Sequence, residues 1–155
     1  MVKQAKAETK VGVGIETLWK ALVEDLRFII PNFMPNTVEK IELLHGNGGL
    51  GSIFLFHLAH GVQKERIVEV DETKHEFGVE VMEGNILKAG FSSFTTTFKL
   101  SSMGEKGTLV DIKVVYGTER DDGDEDEEGH MVEMAISPAL SFFQLLEKFL
   151  LHSSS

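Results

Sequence analysis

Gln63 and Glu65 form the pair whose residue types and spacing are best suited to chemistry in this chain. Read on a strand, they share one face with Ile67, while Lys64, Arg66 and Val68 share the other, because side chains alternate sides along an extended backbone. With the two cations in water, the amide and the carboxyl point inward. A carboxylate in an apolar interior is costly unless a donor meets it, and burial pushes its pKa upward. Three arrangements satisfy it: a donor on a bound molecule, a pairing with Lys64 or Arg66 of a neighbouring register, or a side chain that reaches the rim. A carboxyl of raised pKa is also what a general base requires.

Three further patterns invite a reading, and each fails on its own geometry. Gly46-Asn47-Gly48-Gly49-Leu50-Gly51 is glycine-rich, but a phosphate cradle needs Gly-Lys-Ser/Thr opening a helix. Here Gly51-Ser52 leads into a strand with no lysine beside it, so a hairpin loop is expected. His57 and His60 stand three apart at a strand end and face opposite ways, and no carboxylate completes a metal set. Asp121-Asp122-Gly123-Asp124 lacks the glycine and glutamate positions of a calcium loop. The chain is therefore expected to hold neither metal nor cofactor.

The elements that must position the pair follow from periodicity. Residues 2–13 read as a strand. Ile15, Leu18, Trp19, Leu22 and Val23 then recur at helical spacing, and a second short helix is predicted from about Asp25, limited by Pro31 and Pro35. From residue 37 onward the period becomes two. Strands are predicted over 38–44, 52–58, 62–70, 75–82, 91–100 and 108–116, separated by turn chemistry, which makes an antiparallel meander. Residues 131–152 read as a long apolar helix with a kink at Pro138. In the strands, Phe94, Thr96, Phe98 and Leu100 oppose Thr95, Thr97 and Lys99. Val110, Ile112, Val114 and Tyr116 oppose Asp111 and Lys113, and Phe77, Val79 and Val81 oppose Glu76 and Glu80. One face is wet and one buried, with the last helix as its cover.

Composition narrows the function classes. The 155 residues carry a formal net charge of −10 and no cysteine. Phosphate backbones are bound by clustered Lys and Arg, so nucleic acid is not an expected partner. Residues 119–128 hold eight carboxylates against one arginine, which leaves the rest of the chain near −3; a solvated loop, placed to lid a cavity mouth, is expected there. No run comes near the ~20 apolar residues of a membrane helix, and residues 1–10 carry three lysines without an apolar stretch. One cytoplasmic domain over residues 1–155, monomeric or weakly dimeric and without a membrane partner, is the expectation.

The glycine loop between two strands after a helix pair, Pro31 and Pro35, the Val81-Met82-Glu83-Gly84 turn and the terminal helix together resemble the birch-pollen-allergen, or pathogenesis-related class-10, family over essentially the whole chain. Residues 67–72 (IVEVDE), 94–100 (FTTTFKL) and 146–151 (LEKFLL) look closest to its cytokinin-specific and phytohormone-binding subgroup. The resemblance implies an α+β fold, a seven-stranded curved antiparallel sheet gripping a long C-terminal helix, with two short helices forming a V. It also implies an internal cavity for a small amphiphilic plant molecule, such as cytokinin, gibberellin or another aromatic or terpenoid metabolite. By the same resemblance Gln63 and Glu65 occupy the positions that hydrogen-bond the ligand, whereas Ala139 and Phe142 stand where the hormone binders place Thr and Tyr.

The apolar lining is expected to come from Leu22, Phe28, Phe54, Phe56, Phe77, Val79 and Val81, together with Phe94, Phe98, Met134, Ala139, Phe142 and Leu146. Eleven Phe against one Tyr and one Trp supply area and π faces but few hydrogen bonds. The family also contains Pictet–Spengler catalysts that use a Tyr, a Glu, a Lys and an Asp. Only Glu65 matches that set, with Gln63, Phe77 and Thr96 at the other positions. Binding is therefore the first reading, and catalysis on an alkaloid or terpenoid intermediate, with Glu65 as lone base, the alternative.

Overall fold

The computed structural model describes residues 2–119 and 125–153. Strand β1 (Val2–Val11) leads into α1 (Ile15–Lys20), a π-helical turn (Ala21–Asp25) and α2 (Leu26–Phe33). The predicted apolar stripe is the buried face: Leu18, Trp19 and Leu22 are almost fully enclosed. The π turn falls where the second helix was predicted to begin, and such turns are where helices change direction. Helix α1 is tied to the sheet by Trp19, whose Nε1 donates to Glu72 Oε2 at 2.7 Å and whose ring meets His75 edge-on at 5.2 Å.

Six strands follow: β2 (Val38–His45), β3 (Ile53–Leu58), β4 (Gly61–Asp71), β5 (Glu76–Glu83), β6 (Phe91–Ser102) and β7 (Thr108–Thr118). Each lies within two residues of its predicted bounds. The sheet order is β1-β7-β6-β5-β4-β3-β2, antiparallel throughout, so the helix pair carries the chain from one sheet edge to the other. The predicted inward faces of β5, β6 and β7 are inward, down to buried Thr96. Between β5 and β6 the chain makes a 3-10 turn, Asn85–Lys88, where a plain loop was expected.

Helix α3 (Glu125–Ser153) starts earlier than predicted and runs as one element through Pro138. Glu125 to Glu128 form its first turn rather than a loop. Free backbone N–H groups and the positive end of the dipole favour carboxylates there. The residues read against a calcium loop, 121–124, lie outside the described residues. By length and composition α3 is apolar enough to cross a membrane, contrary to the expectation that no run would be. Here its inner residues Ala135, Phe143 and Leu146 are buried against the sheet, and Glu147 accepts from Gly12 N at 2.5 Å to fasten its far end.

Bulges are unevenly distributed. β1 and β7 pair over ten residues without interruption. The β2–β3 ladder breaks twice, and the β4–β5 ladder breaks once on each side of Glu65 to Ile67. An extra residue bends a strand and increases its twist, so the sheet curls most along β2 to β5.

Candidate ligand cavity

Under that curled half lies a hollow of about 440 Å³, within the range of small-molecule sites. Leu22, Leu26 and Ile30 roof it from the π turn and α2; Phe54 and Phe56 of β3, Glu65 and Ile67 of β4, and Phe77 and Val79 of β5 make its floor. Exposed Glu24 and Asn47 mark its mouth, with half-buried Arg27, Gly48 and Gly49 beside them.

The mouth owes its shape to the glycine loop. Gly46 has φ +91°, and a Cβ there would stand 2.9 Å from Ser52 Cα, so only glycine lets the loop fold back this closely. Ser52 Oγ accepts from Gly48 N at 2.8 Å, Asn47 Oδ1 from Gly49 N at 3.0 Å, and Gly51 N donates to Ile67 O at 2.8 Å. Amides spent inside the loop are not offered to a phosphate, which agrees with the hairpin reading.

Glu65 brings the chemistry. Lys64 and Arg66 turn away to Glu83 (3.5 Å) and Glu80 (2.6 Å), so neither cation reaches Glu65. Its partner is Gln63, whose Nε2 donates to Glu65 Oε2 at 2.5 Å. Gly84 makes room for that amide, since a Cβ there would approach Gln63 Cγ to 3.0 Å. Burial pushes the Glu65 carboxyl up from its ordinary value, and the Gln63 hydrogen bond offsets only part of this. The residue keeps some accessible surface, but that surface opens on the hollow, where little solvent compensates the charge.

Of the expected lining, Leu22, Phe54, Phe56, Glu65, Phe77 and Val79 are on these walls. The remainder are elsewhere. Phe28 is 62% exposed, because its position on α2 turns it away from the sheet, and it lies beneath the Arg27 guanidinium at 4.6 Å. Val81, Phe94, Phe98 and Leu146 are buried core, and Met134, Ala139 and Phe142 pack against it. Phe98 stands perpendicular to Phe143 with centroids 4.9 Å apart. Helix α3 thus packs its middle and C-terminal turns onto its own half of the sheet and leaves this hollow to α2, while a second space of about 650 Å³ lies beneath its first turns, beside Lys3, Tyr116, Thr118 and Met131. Gln63 orients the carboxyl from beside the hollow rather than lining it.

Sequence reasoning passed over Arg27, Ile30 and Ile41, which do line it. For Arg27 the signal was a cation within an otherwise apolar helical stretch. His57 pairs with Glu42 at 3.1 Å, and among the described residues no cluster is fit to hold a metal.

A family model, the pathogenesis-related protein Bet v 1 family, matches residues 1–153. Pathogenesis-related protein A of Petroselinum crispum is 24% identical over 154 residues, covering 97% of each chain. Among solved structures, Ara h 8.0201 superposes with a TM-score of 0.80 at 22% identity, over 98% of this chain and 99% of that one. Norcoclaurine synthase from Thalictrum flavum in complex with dopamine and hydroxybenzaldehyde gives 0.79 at 21%, over 100% and 90%. Both superpositions speak to the fold, the helix-grip.

Proposed function

Because the chain belongs to the pathogenesis-related protein Bet v 1 family, whose members bind small hydrophobic ligands, we propose that it is a cytosolic carrier or receptor, monomeric or weakly dimeric, for one amphiphilic plant molecule of the phytohormone or flavonoid kind. The observation that carries this reading is the Glu65 carboxyl: raised by burial, held by one amide, and facing a hollow whose walls are otherwise mostly apolar. A guest N–H or O–H meets that carboxyl while the guest's rings cover Phe54, Phe56 and Phe77. A purely structural protein has no use for such a hollow.

Fluorescence or calorimetric titration with trans-zeatin, gibberellic acid and a flavonoid panel tests this. At least one compound is expected to saturate at micromolar concentration, and Glu65→Ala to weaken it about tenfold, the value of one charge-assisted hydrogen bond. A panel in which nothing saturates, or a Glu65→Ala protein that binds unchanged, overturns the proposal. The raised carboxyl also suits a second reading, proton abstraction from a bound alkaloid or terpenoid intermediate. Product formation that disappears in Glu65→Ala supports it; binding without product counts against it.

A further inference from the structure

Arg27 stands in the first turn of α2, on the helix wall of the hollow, with Glu65 on the sheet wall. It is half-buried, yet makes no ion pair among the described residues. The other charges around the mouth do not claim it. Asp25 lies 3.9 Å from Lys20, Glu80 is taken at 2.6 Å by Arg66, the other cation bordering the hollow, and Glu24, three residues before Arg27 on the same wall, is exposed and forms no ion pair with it among the described residues. Nor does Arg27 reach Glu65 across the hollow, whose carboxyl responds to burial and Gln63 alone.

Phe28 explains how the guanidinium is held. An exposed phenylalanine has no place in the core, but its ring lies 4.6 Å from Arg27 Cζ, a cation–π distance. Contact with the ring anchors the guanidinium on one side, and a planar guanidinium fork suits a carboxylate in two parallel hydrogen bonds.

We propose that Arg27 is a specificity-determining residue that selects small apolar guests bearing a carboxylate or equivalent anion at the mouth, the guest's opposite end reaching toward Glu65. This deepens the cavity reading and rests on it. The formal charge of −10 sharpens the inference: the protein as a whole repels anions, so a preference for them must arise locally.

Two dyes with one skeleton isolate the anion: 1-anilinonaphthalene-8-sulfonate and its uncharged counterpart N-phenyl-1-naphthylamine, titrated by fluorescence at 0.15 M salt. Arg27→Gln is expected to raise the Kd of the sulfonate about tenfold and leave the uncharged dye within twofold, with Arg27→Lys in between. Equal shifts for both dyes, or none for either, overturn the proposal. Val79→Phe, which intrudes on the hollow, separates the two readings. If it blocks both dyes while Arg27→Gln changes nothing, only the anion selectivity falls. If it leaves both dyes bound, they do not occupy the hollow, and the cavity reading falls with it.

Discussion

The β1–β7–β6 half of the sheet and the β2–β5 half use the same strand pattern and reach opposite ends. Under α3, Phe91, Ile112, Val114, Tyr116, Phe143 and Leu146 are all within 1% of full burial, and edge-on aromatic pairs such as Phe91–Tyr116 at 5.3 Å close the gaps. Under α2, Phe54, Phe56 and Val79 are only half-buried, around about 440 Å³ of space. Helix length and bulges separate the two. A 29-residue helix lies over ladders broken only once, between Phe91 and Ser93, while an 8-residue one spans ladders broken four times that it cannot fill. A sheet covered by unequal helices is packed solid beneath the middle and C-terminal turns of α3, where it holds the molecule together, and is left open beneath α2; the other space, about 650 Å³, lies at the polar N-terminal end of α3.

That contrast can be broken most directly in the core. Phe143→Ala is expected to cost about 3–5 kcal/mol in denaturant unfolding, through lost transfer energy plus a new cavity. Phe54→Ala, which enlarges a space already present, should cost only about 1 kcal/mol. Equal costs would show that the hollow half is packed like the other. Next in size, Val79→Phe should weaken guest binding at least about tenfold, 1.4 kcal/mol, with the melting temperature unchanged or raised.

Glu65→Gln tests the electrostatics of the open half. A carboxyl whose folded pKa is raised holds its proton more tightly in the native state, so its ionisation destabilises the fold above that pKa and has no effect below the ordinary glutamate value. Removing the charge should therefore raise the melting temperature at pH 7.5, by about 2–4 °C for each kcal/mol regained, and the gain should vanish near pH 4. A gain independent of pH would mean that the carboxyl is solvated. The smallest effect belongs to Arg66, which borders the hollow: Arg66→Ala breaks a solvent-facing pair with Glu80 and should change stability by less than about 1 kcal/mol. A larger loss would make that ion pair part of what shapes the floor.

Alternation and helical spacing alone determined the element order, the inward faces of β5 to β7, and Glu65 on the core side of β4, because a period of two or of 3.6 states which residues share a face. They also gave Leu22 its helix stripe and put Phe77 and Val79 on the inward face, whereas Phe54 and Phe56 were expected only as members of a longer apolar lining. Which concave residues would border a void was decided only in three dimensions. Phe98 and Phe56 look alike in sequence, but one meets Phe143 and the other faces the hollow, according to which helix lies above. The exposure of Phe28, the stacking of Arg27 upon it and the start of α3 at Glu125 were likewise tertiary outcomes. They depend on how far each helix reaches across the sheet and on where the bulges bend it, and neither quantity is written in any local run of residues.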